Sequence, residues 1–133
     1  MKEPVWIETH VVLAMHDRLL AEYGGPSGLR DSGLLESALA RPRQLLTYDQ
    51  PDLAALAAAY VVGIIRNHPF VDGNKRTGFM TGYVFLARNN LQLTASEFEA
   101  TRFVSALASG ELQEEAFADW LRNNTMVKEL GGY

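Results

Sequence analysis

The segment that follows Asp52, LAALAAAYVVGIIRN, constrains the fold most, because apolar side chains would cover nearly the whole circumference of a helix built from it. A helix at the protein surface carries a polar face, whereas one that is apolar all round is buried on every side. Pro69 disfavours helical backbone at the residue before it, so this helix is predicted to end near His68. The rest of the chain is therefore expected to pack around one central helix.

The remaining periodic segments predict an all-α fold of about six helices in one domain, residues 1–133. The predicted helices other than the central one span Thr9–Tyr23, about Ser32–Ala40, Asn74–Ala87, Ala100–Ala108 after a Ser96 cap, and Leu112–Leu121. Thr9 is the expected cap of the first helix, Asp31 or Ser32 caps the second, and Pro42 should lie just past its end. Leu91–Thr94 is a candidate short strand.

The helix predicted from Asn74 carries two kinds of packing signal. Phe79, Tyr83 and Leu86 are spaced as one apolar stripe, flanked by Met80 and Val84. Gly78 and Gly82 lie four residues apart, on one face, so another helix can approach the backbone closely there.

Composition excludes several classes of function. The formal net charge of −4 argues against a general nucleic-acid binder, since phosphate backbones are held by basic surfaces. No cysteine is present, which excludes disulfides and thiolate metal sites and fits a cytoplasmic location. The longest apolar run, Ala54–Ile65, is too short to span a bilayer, so no membrane association is expected.

The sequence NHPFVDGNKRTGF, between the two predicted long helices, concentrates chemically active side chains in one turn. His68 can act as a base toward a substrate hydroxyl, although a histidine that merely ends a helix is the more common case. Asp72 next to Gly73 is a common turn pair. A single carboxylate beside phosphates is also the usual protein ligand of Mg²⁺.

The start of the following helix has the features of an anion site. Gly73 and Asn74 lead directly into it, so backbone N–H groups and the helix dipole favour a bound anion. Lys75 and Arg76 occupy the first turn, where the dipole disfavours cations, and a polyphosphate ligand would explain them. Arg66 adds a third candidate contact. Together these groups suit transfer from a nucleoside triphosphate to a hydroxyl.

At these residues the sequence resembles the Fic/Doc family. HPFVDGNKR matches the Fic signature at His68, Pro69, Phe70, Asp72, Gly73, Asn74 and Arg76. Lys75 stands where Fic proteins have a second glycine, and Phe79 where they carry a further arginine. Both departures resemble the Doc branch, the death-on-curing toxins. MHDRLLAEYGG, GLRDSGLLESALARP and FLARNN also resemble Doc-type toxins, so the likeness covers about Ile7–Leu121.

The resemblance implies an all-helical core with the motif between two central helices. It implies that His68 activates the target hydroxyl and that Asp72 holds Mg²⁺. Gly73, Asn74, Lys75, Arg76 and Arg66 are implied to bind the phosphates of ATP. Doc-type members phosphorylate an elongation factor of the Tu type, whereas Fic enzymes mostly transfer AMP. Lys75 fills the glycine-lined space that Fic enzymes use, which favours phosphorylation.

The activity is expected to be inhibited by a separate protein. Many Fic proteins are restrained by an [ST]-x-x-x-E-[GN] helix, and the nearest match, SGLLES at Ser32–Ser37, ends in serine. We interpret it as a helix cap followed by a solvent-facing glutamate. Doc-type toxins are neutralised by a Phd-type antitoxin whose tail folds against the toxin, so such an antitoxin is the implied partner.

Three other functions are compatible with parts of the pattern. They are AMP transfer to a protein hydroxyl, a catalytically inactive nucleotide- or partner-binding module, and a metal-dependent phosphodiesterase. The base His68 would be superfluous in a binding module. A phosphodiesterase would need more ligands, and only His10 and His16 remain. His16 beside Asp17 is expected to form a structural hydrogen-bonding pair.

Overall fold

The computed structural model describes residues 3–128 of the 133-residue chain. Six helices and one small sheet follow in the order α1 (Thr9–Tyr23), α2 (Ser32–Tyr48), α3 (Leu53–Asn67), α4 (Asn74–Arg88), β1 (Leu91–Leu93), α5 (Glu97–Ser109), α6 (Glu114–Asn123) and β2 (Thr125–Val127). The predicted all-α fold is confirmed. Within residues 3–128, no helix combines the length and the apolar character that crossing a membrane requires.

Helix α3 is the central element, as its sequence predicts. Ten of its fifteen residues, from Ala54 to Ile64, are buried, and α2, α4, α5 and α6 pack around it. The Asp52 side chain caps its start by accepting a hydrogen bond from the N–H of Ala55 at 2.9 Å. The helix ends at Asn67, one residue before His68, because Pro69 follows.

Glycines allow α4 to lie directly against α3. A methyl group at Gly82 would lie 2.6 Å from Cγ2 of Val61, and one at Gly78 would lie 3.2 Å from the Val61 carbonyl oxygen. The predicted close approach is therefore confirmed. The predicted stripe is wrong in part, because Leu86 is buried while Tyr83 is 38% exposed. The two glycines, rather than the large side chains, decide which face of α4 meets the core.

Helix α2 is longer than the sequence pattern predicts. It continues to Tyr48 with Pro42 buried inside it, so the predicted end near Ala40 is wrong. Pro42 has no N–H to donate to the carbonyl of Ala38. That carbonyl faces Gly63 of α3, where an added methyl group would lie 3.1 Å from the oxygen. Packing against α3 holds this part of the helix and overrides the local effect of proline.

A two-stranded antiparallel sheet completes the structure. β1 pairs with β2 so that Leu91 lies opposite Val127 and Leu93 opposite Thr125. The strand within Leu91–Thr94 was predicted from the sequence, but β2 was not. Its three residues are too few to show an alternating pattern, and the pairing joins segments more than thirty residues apart.

Replacing Asp52 with alanine is expected to lower the free energy of unfolding by about 1 kcal/mol at neutral pH, because the cap of α3 is lost. Asp52 also accepts hydrogen bonds from Arg122 at 2.6 and 2.9 Å, and these lower the pKa of Asp52. A lowered folded-state pKa gives stability that is present above the unfolded value and lost as pH falls through the folded one. Urea unfolding at several pH values should show that the difference in unfolding free energy between the wild-type protein and Asp52→Ala becomes smaller in acid. The exposed Asp119→Ala change, which also removes a partner of Arg122, is the control and should cost less.

Candidate active site

The NHPFVDGNKR motif forms a tight loop between α3 and α4. His68 adopts left-handed backbone with φ 51° and ψ 54°, a conformation outside the α region that Pro69 disfavours. Gly73, at the other end, has φ 80° and precedes the first residue of α4. A residue with a side chain would be strained there, so glycine is needed to turn the chain into the helix. The loop therefore brings His68 and the start of α4 together.

Asn74 ties the loop together from within. Its side-chain oxygen accepts a hydrogen bond from the N–H of Phe70 at 3.0 Å, and its side-chain nitrogen donates to the carbonyl of Phe70 at 2.9 Å. The asparagine is buried, at 5% exposure. Since both ends of the amide are used inside the loop, the remaining contribution of Asn74 to an anion site is its backbone N–H.

The segment between α1 and α2 braces the loop from outside. Arg30 donates from Nε to the carbonyl of His68 at 2.8 Å and from Nη2 to the carbonyl of Asn67 at 3.1 Å. These bonds satisfy carbonyl groups at the end of α3 that have no helical partner. The N–H of Val71 also donates to the carbonyl of Gly28 at 3.1 Å. The sequence interpretation missed Arg30, whose only local signal is a glycine-rich stretch before it.

A cleft of about 920 Å³ opens beside the loop, and we call it the motif cleft. The predicted site residues that line it are His68, Asp72, Gly73, Asn74, Lys75 and Arg76. Residues of α1, α3, α4, β1 and α5 form its other walls. Its volume is in the range of small-molecule and cofactor sites. Arg66 is exposed on α3 and is not among the lining residues.

The first turn of α4 carries positive charge, and no acidic residue in that turn neutralises it. Lys75 and Arg76 are exposed, and within residues 3–128 neither forms an ion pair. The guanidinium of Arg76 lies 4.2 Å from the centre of the Tyr23 ring, a cation–π contact that holds it at the rim of the cleft. The arrangement favours a ligand with more than one negative charge.

The Asp72 side chain is exposed and packs against the loop after α1. A methyl group at Gly25 would lie only 2.6 Å from Oδ2 of Asp72, so the glycine leaves room for the carboxylate. No group of three or more histidine and acidic side chains that could hold a metal occurs in residues 3–128. A lone carboxylate beside an anion site fits Mg²⁺, which usually takes one or two carboxylates together with phosphate oxygens and water.

The two histidines of α1 differ in their surroundings. His10 is exposed. His16 is buried, and its partner is not the predicted Asp17 but the backbone carbonyl of Asp72, 2.8 Å from Nε2. His16 forms a structural hydrogen bond, as predicted, but the predicted partner of that bond was wrong. Neighbours in sequence on a helix point in different directions, whereas the motif loop lies directly against this face of α1.

The SGLLES segment does not reach the motif cleft. The cap of α2 is Asp31, whose side chain accepts from the N–H of Leu34 at 2.9 Å. Glu36 is exposed, as predicted, and accepts a hydrogen bond from the hydroxyl of Thr9 at 2.8 Å. Thr9 is thus the first residue of α1 but not its cap, which is Glu8 without a side-chain hydrogen bond.

Comparison with known proteins places this geometry in a family. A model of the Fic/DOC family matches residues 6–86. The chain is 36% identical over 117 residues to Protein kinase doc of Escherichia phage P1, covering 87% of this chain and 92% of that protein. It is 43% identical over 114 residues to Toxin Doc of Mycolicibacterium smegmatis, covering 84% of this chain and 82% of that protein. With the motif loop and the helical core in agreement, the chain belongs to the Fic/Doc family.

Proposed function

We propose that the protein is a Doc-type toxin that transfers the γ-phosphate of ATP to a serine or threonine hydroxyl of a target protein. The observation that carries the proposal is that the exposed His68 lines the motif cleft together with Lys75 and Arg76, two cations that form no ion pair within residues 3–128. Phosphoryl transfer depends chiefly on positioning and charge stabilisation, which this arrangement can supply.

His68 is proposed to take the proton from the target hydroxyl. Among the described residues, its ring nitrogens have no hydrogen-bond partner, so one can accept a proton. The hydroxyl oxygen then bonds to the γ-phosphorus, the bond from that phosphorus to the β–γ bridging oxygen breaks, and ADP leaves. The backbone clamp of Arg30 fixes His68 without using its side chain.

The start of α4 is proposed to bind the phosphates. No acceptor among residues 3–128 is hydrogen bonded to the backbone N–H groups of Asn74, Lys75 and Arg76, so they remain available to phosphate oxygens. Gly73 allows close approach, and Arg66 is retained as a proposed contact at the edge. Asp72 would hold Mg²⁺, which when bound neutralises charge on the phosphates.

Lys75 favours phosphate transfer over AMP transfer. The lysine occupies the position at which the resemblance places the second glycine of Fic enzymes, and one relative is named a protein kinase. AMP transfer remains the second candidate, since Pro69 and Gly73 match the Fic signature. A binding module would not need the free base at His68. The absence of a larger ligand cluster in the described residues disfavours a phosphodiesterase.

The proposed biological setting rests on membership of the family. The names of the relatives describe a toxin and a protein kinase. We propose a Phd-type antitoxin as the partner that restrains this chain, and a translation elongation factor of the Tu type as its target, with inhibited translation as the result. Glu36, the glutamate of the SGLLES match, is not among the residues that line the motif cleft, which supports control by a separate protein.

The test is to incubate the protein with a cell lysate and ATP that is radiolabelled at either the γ or the α phosphate. Transfer of the γ label alone to a protein band is expected. Transfer of the α label would replace the proposal with AMP transfer. Labelling of no band by either nucleotide, with a folded protein and Mg²⁺ present, would favour the binding module.

A further inference from the structure

His16 is a buried titratable side chain for which the proposed chemistry has no use. It lies on α1, well outside the motif in sequence, yet its exposure is only 2%. Burying a histidine is unfavourable unless its ring nitrogens find partners. The partner that the structure provides for Nε2 is the backbone of the proposed metal ligand, Asp72.

The hydrogen bond has a defined direction. Nε2 of His16 lies 2.8 Å from the carbonyl oxygen of Asp72, and a carbonyl oxygen only accepts. Nε2 therefore carries a hydrogen and donates it to the carbonyl of Asp72. A residue that is hydrogen bonded to a metal ligand, but does not itself contact the metal, can fix the orientation of that ligand.

The plane of the His16 ring is fixed by stacking. Its centroid lies 3.8 Å from that of Phe70, and the two planes differ by 10°. Phe70 is itself buried and tied through both its backbone groups to Asn74. A methyl group at Gly73 would lie 3.6 Å from Nε2 of His16, so the ring also lies against the glycine. One side chain of α1 thus contacts Phe70, Asp72 and Gly73.

Asp72 has few other restraints. Its side chain is exposed, and so is Val71 before it. Gly73, after it, has left-handed backbone. The loop is braced on this side by the bond from Val71 to Gly28. Among residues 3–128, no other hydrogen bond is made to the Asp72 carbonyl, and Gly73 after it tolerates a wide range of backbone angles, so the bond from His16 is the main restraint on this peptide.

We propose that His16 is a positioning residue, which holds the Asp72 peptide so that the carboxylate points into the motif cleft. Its effect on metal binding rests on the proposed function, in which Asp72 holds Mg²⁺. Its effect on the loop does not, because the contacts exist in the protein alone. These two consequences can be measured separately.

The test compares His16→Phe with His16→Gln. Phenylalanine keeps an aromatic ring for stacking but has no N–H, whereas glutamine lacks the ring but has a donor of similar reach. The exposed His10→Phe on the same helix is the control. The melting temperature of each variant is measured first. If His16→Phe does not fold, His16→Met, which also lacks a donor, replaces it.

The first measurement is hydrogen exchange of the nucleotide-free protein. The N–H groups of Phe70 and Val71 are protected by bonds to Asn74 and Gly28. We expect both to exchange at least about tenfold faster in His16→Phe, and amides in the middle of α3 to be unchanged. Faster exchange throughout the protein would mean general destabilisation and would overturn the proposal, as would exchange at the wild-type rate.

The second measurement is the Mg²⁺ concentration that gives half-maximal transfer. In His16→Phe it should rise about 10- to 100-fold, with kcat at saturating Mg²⁺ within a few-fold of wild type, and His16→Gln should recover part of the loss. A fall in kcat without a change in Mg²⁺ requirement would assign His16 a merely structural role. If the wild-type protein needs no Mg²⁺, the proposed function is wrong, and the exchange measurement alone decides on His16.

Discussion

Replacing His68 with alanine is expected to lower the rate of transfer by about 10²- to 10⁴-fold, the usual contribution of a general base. Nucleotide binding should change little, because Lys75, Arg76 and the backbone at the start of α4, and not His68, are proposed to hold the phosphates. Folding should be nearly intact, since the side chain is exposed and the clamp from Arg30 acts on the backbone carbonyl.

The left-handed backbone at His68 requires a matched variant. Alanine adopts φ near 51° less readily than histidine does, whereas asparagine tolerates it. His68→Asn should therefore be as inactive as His68→Ala but more stable. Single-turnover rates, nucleotide affinity and melting temperatures distinguish the effects. Rates within a few-fold of wild type in both variants would remove His68 from the mechanism.

Replacing Asp72 with alanine is expected to lower activity by about 100-fold or more and to make the remainder insensitive to Mg²⁺. A bound cation stabilises charge on transferring phosphates by several kcal/mol, and about 1.4 kcal/mol corresponds to tenfold in rate. No group of three or more histidine and acidic side chains in residues 3–128 offers the ion a site made by the protein alone. Asp72→Asn, which keeps the shape of the side chain but not its charge, should behave similarly.

A titration of activity against Mg²⁺ measures this effect. The wild-type protein should show saturation, and the two Asp72 variants should show a low, flat response. A variant with a normal titration curve would mean that the metal is held elsewhere or is not used. The bond from His16 is made to the Asp72 backbone, so neither substitution removes it, and loop exchange rates should stay near those of wild type.

The helices were predictable where the physical signal is local. The bounds of α1 and the start of α4 agree with the sequence interpretation, as does the burial of α3 on every side. The extension of α2 past Pro42 was not predictable, because it depends on the contact of Ala38 with Gly63. The strand β2 was missed for the same kind of reason, since it forms only when the end of α6 brings it beside β1.

The candidate site was likewise predictable only where its residues are close in sequence. His68, Asp72 and the residues from Gly73 to Arg76 are close in sequence, so one turn brings them to the motif cleft. Arg30 and His16 act across separations of 38 and 56 residues, on backbone groups that have no sequence signature. The inward orientation of Asn74 was also not evident from the sequence. An asparagine side chain can contact a phosphate or form hydrogen bonds within the loop, as it does here with Phe70.

Lys75 distinguishes the two reactions that this loop could support. Lys75 lies in the first turn of α4 and lines the motif cleft, at the position where the resemblance places the second glycine of Fic enzymes. We propose that its charge favours a nucleotide whose γ-phosphate faces His68. We therefore expect that a phosphate, and not a nucleotide, is transferred.

The most direct measurement is the mass of the modified target. A Tu-type elongation factor is incubated with the protein, ATP and Mg²⁺, digested, and its peptides are compared by mass spectrometry with those from a His68→Asn control reaction. We expect one serine or threonine that carries the added mass of a single phosphate group, with ADP as the other product. A residue that carries the mass of AMP would contradict this expectation.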